Sequence, residues 1–482
     1  MTQIKDLQPH LVWEQFDAIT RVPRPSKREE QIIEFLIDFA KTHSLEWQRD
    51  DIGNVVIRKA ATAGYEQRPV VILQSHMDMV CEKNADVQFD FESEPIRTRI
   101  DGDWVKAEGT TLGADCGIGM AAALAMLIDE TIEHGPLEAL FTVDEETGLT
   151  GAFNLGEGML SGKYLINLDS EDEGEIFIGC AGGVDTVATF ALSREDAPSG
   201  YAFYRIDVKG LLGGHSGDDI NKGRANSNQL LAQLMLSAQE LFSARISIFD
   251  GGNLRNAIPR EACAIVGITE ENAAAFEELV HSYTNSVKDV FATTEPDMNI
   301  TISSVEGIAK VLSSDLQNNL LKALVWVPNG VIAMSQAVEG LVETSTNLAS
   351  VKFVGEQIVV TTSQRSSVES DKLAVKDSVH TCFANFGASV VHSDGYPGWS
   401  PDPKSKLLEI TVESYRRLFS TEPRVRAVHA GLECGLFLEK YPRLEMVSFG
   451  PTIRGVHSPD ERLEIPTVDK FWCLLCDVVK NI

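Results

Sequence analysis

The sequence predicts an α/β protein: a mostly parallel sheet covered by helices, interrupted by an inserted α+β domain. Three observations carry that prediction. Apolar runs of the fully buried kind, such as "RPVVILQSH" (68–76) and "GKYLINLDSE" (162–171), alternate with helical segments. Near "GCAGGVDT" (179–186) the pattern changes to stricter alternation and long amphipathic helices. After the Gly- and Pro-rich "SDGYPGWSPDPKS" (393–405), buried strands return in "RLEMVSFG" (443–450). A chain of 482 residues exceeds what one core organises. Residues 1–185 and 395–482 are therefore expected to form one domain, and 186–394 the insert.

The elements follow in order. Ser26 and Glu29 read as a capping box, S-x-x-E, ahead of the periodic run "QIIEFLIDFAKTH" (31–43). "NVVIRKA" (54–60) and 68–76 read as strands. "GIGMAAALAMLIDE" (117–130) is an Ala-rich helix opening just after Asp115, and "PLEALFTVDEE" (136–146) and 162–171 are again strands. In the insert, 227–242 and 271–291 are amphipathic helices. A faint internal likeness between 252–268 and 345–363, each followed by a helix, hints at a degenerate duplication.

Composition excludes several classes. Acids outnumber bases 71 to 42, a net charge of -29, which repels phosphate backbones and anionic membranes; neither nucleic acid nor a membrane is an expected partner. No apolar run is long enough to cross a bilayer, and the N-terminus lacks a signal-peptide pattern, so a cytoplasmic location is expected. The eight cysteines show no disulfide spacing, and Cys473 and Cys476, a CxxC in an apolar helical pattern, are expected to pack in a core.

In parallel sheets ligands collect at the carboxyl ends of strands. Polar residues there form one list: His76 and Asp78 in "SHMDMV", Asp115 in a glycine-flanked turn, Asp144, Glu145 and Glu146 in "FTVDEETG", Asp169 after an apolar strand, and His457 after the last one. Period two along an extended chain points His76 and Asp78 the same way, so Asp78 is placed to hold the far ring N–H of a metal-bound imidazole. Two histidines and several carboxylates without a thiolate make a mixed N/O set suited to zinc in an open catalytic site. Two metals sharing a carboxylate would use the whole set. Cations also answer why adjacent acids are tolerated: one Glu ligates, and its neighbour stands off as a general base.

The motifs "SHMDMV", "LGADCGIG", "DEETGLTGA", "NLDSED" and "GVHSPDE" resemble those of the co-catalytic di-zinc exopeptidases of the aminoacylase/carboxypeptidase G superfamily. "GGHSGDDINKGRANSNQ", "TTSQRSSVES" and "HAGLECG" point within it towards the branch that cleaves Xaa-His dipeptides, β-alanyl-histidine included. The resemblance implies two Zn2+ per chain, with Co2+ or Mn2+ able to substitute. It implies His76, Asp115 and Asp169 on one ion, and Asp115, Glu146 and His457 on the other, with Asp115 bridging. Glu145 matches the general base and Asp78 the acid that orients His76. The insert resembles a lid used for substrate binding and homodimerisation. There His215 matches a donor to the developing oxyanion, Asn256 a substrate contact and Arg365 a clamp for the terminal carboxylate, while Gly431, beyond the insert, matches a glycine loop beside the substrate. An N-acyl-amino-acid amidohydrolase on the same scaffold is the alternative, and a thiol hydrolase built on Cys434 and His429 a more distant one.

Overall fold

Strands buried on both faces read as unbroken apolar runs, and the sheet centre is made of them. All six residues of Val71–His76 and all six of Leu137–Thr142 are buried. The computed structural model describes residues 3–429 and 431–482. Two units emerge: one runs to Gly179 and resumes over Pro401–Ala427 and Glu433–Ile482, and the other comprises Cys180–Ser400 and Val428–Leu432. The divisions thus fall at 179/180 and 400/401, not at 185/186 and 394/395. The reason is local pairing: Cys180 bridges Trp399 and Gly183 bridges Tyr396, which ties both ends of the long segment into the second unit.

Along the chain the first unit begins with helices α1 (His10–Thr20) and α2 (Glu30–Thr42) and strands β1 (Glu46–Arg49), β2 (Val55–Lys59) and β3 (Val71–His76). α3 (Ala114–Ile128), β4 (Leu137–Thr142), β5 (Tyr164–Asn167) and β6 (Glu175–Cys180) follow. The second unit contains β7 (Gly182–Ala191), β8 (Tyr201–Lys209), α4 (Ser227–Phe242), β9 (Arg245–Gly251), β10 (Ala262–Thr269), α5 (Ala273–Val290) and β11 (Asn299–Val305). It continues with α6 (Ser314–Trp326), β12 (Val342–Val354), β13 (Gln357–Ser366), α7 (Glu369–Asn385) and β14 (Ser389–His392). α8 (Lys406–Phe419), β15 (Arg424–Val428), β16 (Glu445–Ser448) and α9 (Ile465–Asn481) complete the chain.

The first sheet runs β1-β2-β4-β3-β5-β16-β6-β15. The four central strands, β4-β3-β5-β16, pair in parallel, while the β1-β2, β2-β4 and β16-β6 pairs are antiparallel. The class is α/β as expected, with a mixed sheet whose centre is parallel. The register sets Thr142 opposite His76 and Asn167 opposite both Gln74 and Ser448, so four carboxyl ends come level. α3 is buried all round from Met120 to Leu127, hence its Ala-rich sequence without a polar face. Gly119 lets it approach β5: a Cβ there would lie 2.6 Å from the Leu168 carbonyl oxygen.

The second sheet is antiparallel, in the order β11-β8-β10-β9-β12-β13-β7-β14. It divides into two modules of one topology, strand–helix–strand–strand–helix–strand. One is β8-α4-β9-β10-α5-β11; the other is β7-α6-β12-β13-α7-β14. Their second strands, β9 and β12, meet where Gly251 faces Val351. The first module lies, in sequence, between β7 and the rest of the second. Segments 252–268 and 345–363 carry β10 and β13, the third strand of each. Leu231, Leu234 and Phe276 of one module and Leu320, Leu324 and Phe383 of the other belong to a single apolar core.

One expected element has a different basis. The helix after Ser26 starts at Glu30, and neither side chain of the S-x-x-E pattern caps it. Ser26 Oγ donates instead to Asp78 Oδ2 at 2.8 Å, and Glu29 Oε1 accepts from Lys27 N at 2.8 Å and Asp144 N at 3.1 Å. Both side chains are drawn into the polar floor at the sheet's carboxyl edge.

Candidate metal centre

Seven of the expected residues, all in the first unit, converge at that edge. His76 closes β3 and Asp78 follows it, Asp115 opens α3, Glu145 and Glu146 follow β4, Asp169 follows β5, and His457 lies beyond β16. The carboxylate of Asp115 divides them. Its Oδ1 is 3.2 Å from His76 Nε2, and that nitrogen is also 3.3 Å from Asp169 Oδ1. Its Oδ2 is 3.3 Å from His457 Nε2, which is also 3.0 Å from Glu146 Oε2. Two sets, each with one imidazole and one further acid, share one carboxylate.

The turn after β4 separates the adjacent acids. Asp144 takes a left-handed conformation (φ 49°), which Asp tolerates better than most residues, and its carboxylate accepts from the Thr147 and Thr150 hydroxyls. The chain then turns so that Glu145 N and Glu146 N donate to Asp78 Oδ1 (3.0 Å) and Oδ2 (3.2 Å). Asp78 Oδ1 also lies 3.3 Å from His76 Nδ1. Fully buried, Asp78 thus fixes the far side of the His76 ring and the backbone of both glutamates.

Charge tests whether cations fit here. Burial disfavours the His76 imidazolium, yet Asp169, Asp115 and Asp78 outweigh it and hold its pKa well above the ordinary histidine value. Hydrogen bonds donated to the Asp115 and Glu146 carboxylates raise His457 to about 11. Burial lifts Asp169 to about 6, with His76 opposing and Asp115 reinforcing. It also lifts Glu145 well above the carboxylate range, His76 opposing and Asp169, Glu433 and Glu146 reinforcing. Protons on the imidazoles and raised carboxyls are the response of a site with excess negative charge. Glu146 Oε1 is buried and has no hydrogen-bond donor among the described residues. Asp115, Glu146 and His457 offer ligand atoms within 4.8 Å of one another, as do His76, Glu145 and Glu146. The residues fit cations bound by N and O ligands.

Other participants carried no local signal. Cys116 places its sulfur with His76 and Asp169 in one such group. Glu433, 1% exposed, accepts from Gln74 Nε2 at 2.6 Å and Thr142 Oγ1 at 2.8 Å beneath the strand ends, and burial raises it to about 8. It stands in the quoted "HAGLECG", where the glycine alone suggested a role.

The expected lid residues gather in the second unit. His215 pairs across from Ala257, and Ser216 N donates to Asn256 O at 2.8 Å, so His215 and Asn256 share one two-stranded ribbon. Gly217 N and Asp218 N each lie 3.3 Å from His215 Nδ1, and Asp218 Oδ2 lies 3.4 Å from the same nitrogen, so Nδ1 is engaged within the loop. Arg365 is the penultimate residue of β13; its Nη1 donates to Tyr396 Oη at 3.1 Å, and its buried Nε has no acceptor among the described residues. Gly431 lies against the Tyr396 ring, where a Cβ would come within 2.8 Å. Tyr396, unmarked in sequence, therefore backs both. His429 Nε2 is bound to Ser345 Oγ at 2.7 Å, while Cys434 starts the helix Cys434–Lys440 of the first unit.

Three comparisons bear on this geometry. The model of peptidase family M20/M25/M40 matches residues 72–481. The cytosol non-specific dipeptidase of Escherichia coli (strain K12) is 43% identical over 482 residues, covering 100% of this chain and 99% of that one. The crystal structure of aminoacylhistidine dipeptidase from Vibrio alginolyticus is similar with a TM-score of 0.95 at 43% identity, covering 100% of this chain and 98% of that one. Aminopeptidase PepT from Bacillus cereus ATCC 10987 shares the fold at 16% identity, with a TM-score of 0.56 over 98% of each chain. The sheet-edge centre thus sits in a chain that belongs to peptidase family M20/M25/M40.

Proposed function

We propose that this chain is a cytoplasmic metallo-dipeptidase that hydrolyses Xaa-His dipeptides, β-alanyl-histidine among them. The observation that carries the metal part is the division of Asp115, whose two oxygens face two separate imidazole–acid sets. Substrate class rests on the relatives, one named a non-specific dipeptidase and the other an aminoacylhistidine dipeptidase.

In this reading His76, Asp115 and Asp169 hold one Zn2+, and Asp115, Glu146 and His457 the other, with Co2+ or Mn2+ as substitutes. Bound metal would polarise the scissile carbonyl and lower the pKa of a water. Glu145, adjacent to ligand Glu146 but turned to its own position, takes the water's proton and returns it to the leaving amine. His215 donates from Nε2 to the oxyanion. Arg365, steadied by Tyr396, offers Nε to the substrate's terminal carboxylate, which limits peptide length. Asn256 and the Gly431 loop complete the substrate contacts. The second unit acts as the lid and as the homodimer surface; strand Gly330–Met334 on its sheet exposes Ile332 and Met334.

The test is hydrolysis of β-alanyl-histidine, alanyl-histidine and an N-acetyl amino acid, before chelation, after it, and with zinc restored. Cleavage of the histidine dipeptides that is lost on chelation and regained with zinc is expected. Cleavage of the acetyl substrate alone would overturn the substrate class and leave the metal centre standing.

A further inference from the structure

Two buried charges outside the ligand set hold the loop that delivers Asp115. Glu461, 2% exposed, accepts four consecutive backbone N–H groups. Oε2 takes Leu112 N at 2.7 Å and Gly113 N at 2.9 Å, and Oε1 takes Ala114 N at 2.7 Å and Asp115 N at 3.3 Å. Arg24, 1% exposed, grips the same loop from its carbonyl side, with Nη2 donating to Gly113 O at 2.5 Å. Its Nη1 donates to Asp78 O at 2.7 Å and Met77 O at 3.1 Å, in the turn just after His76. Gly113, at φ 71°, has no room for a side chain: a Cβ would lie 2.5 Å from Arg24 Nη2.

Buried ions are unfavourable unless hydrogen-bonded, and here backbone groups supply four donors to Glu461 and three acceptors to Arg24. The connectivity gives the arrangement a purpose. Glu461 follows His457 by four residues, so one short segment supplies a histidine of the centre and the anchor of the Asp115 loop. Arg24 joins that loop to the His76–Asp78 turn. Three segments that each carry a candidate ligand are tied together by two residues that ligate nothing.

We propose that Arg24 and Glu461 are positioning residues that fix the Asp115 carboxylate between His76 and His457 before any metal arrives, and thereby set metal affinity. The proposal rests on the metal-centre reading above. Gln at position 461 can accept on one side only. Its NH2 must face either the 112–113 or the 114–115 pair of N–H groups, so Glu461→Gln loosens the loop without changing side-chain size.

The control is Glu138→Gln. Glu138 is a 2%-exposed carboxylate on β4 that accepts from Ser161 N (2.9 Å), Ser161 Oγ (2.8 Å) and Gly162 N (3.1 Å), away from the ligand-bearing end of its strand. The full-length protein is stripped with a chelator and titrated with Zn2+ against a chromophoric competitor. Wild type is expected to bind two ions. Glu461→Gln and Arg24→Lys should bind roughly 10–100-fold more weakly, with kcat restored at saturating zinc and KM unchanged. Glu138→Gln should bind as wild type does. Wild-type affinity in Glu461→Gln and Arg24→Lys, or an equal loss in Glu138→Gln, would overturn the proposal. So would failure of both site variants to fold where Glu138→Gln folds, since that assigns the pair to the core. A wild type that binds no zinc defeats the metal-centre reading itself, an outcome separate from all of these.

Discussion

At the scale of residues, neighbours in sequence receive different surroundings from one turn of backbone. Asp144 bonds the threonines that follow it and Glu146 faces His457, while Glu145 is the group proposed for proton transfer. Glu145→Ala is therefore expected to lower kcat by about 10²–10⁴-fold while bound metal, read by elemental analysis, stays at the wild-type level. Loss of metal together with activity would move Glu145 into the ligand set. The acids and imidazoles at strand ends were legible because a buried apolar run that ends in a charged residue announces an edge. Arg24, Glu433, Glu461 and Tyr396 were not. Their partners are backbone groups or side chains far away in sequence, and an isolated Arg between prolines or Glu after Asp carries no periodic signal.

Elements were legible wherever burial alone dictated the pattern. The amphipathic run 227–242 became α4 with the same bounds. Its start is secured by Asn226, whose side chain accepts from Asn228 N (3.0 Å) and Gln229 N (3.2 Å) and donates to the Leu348 carbonyl (2.9 Å). Asn226→Ala removes the cap and one tie to β12, so a loss of about 1–2 kcal/mol is expected, measured as a lower urea midpoint. The S-x-x-E pattern before α2 failed for an instructive reason. Local spacing fitted a capping box, but Asp78 and the Asp144 amide offered Ser26 and Glu29 partners that only the folded sheet edge brings near. A parallel sheet was likewise anticipated from apolar runs, which report burial; they say less about strand direction at the flanks.

For the molecule as a whole, acid is a predicted weakness of the second unit. Burial, with the charge of Arg365 adding to it, lowers the pKa of His429 to about 4 from 6.5. Between those values an unfolded chain binds a proton that the folded one refuses. Stability contributed by this group is complete above pH 6.5 and falls as pH drops towards 4, by at most about 3 kcal/mol. His429→Gln should flatten the difference between urea unfolding curves at pH 7 and pH 4.5; an unchanged difference would show that His429 does not carry it. The nested modules have a consequence in time. β7 leaves the ribosome early, yet its partners β13 and β14 emerge only after the whole inner module has been made. The inner module is contiguous and can close on itself, whereas the outer one must wait with its first strand unpaired. His457, almost at the end of the chain, arrives later still. Synthesis therefore imposes an order of assembly: inner module, then outer module, and last the centre whose first four candidate ligands were made long before.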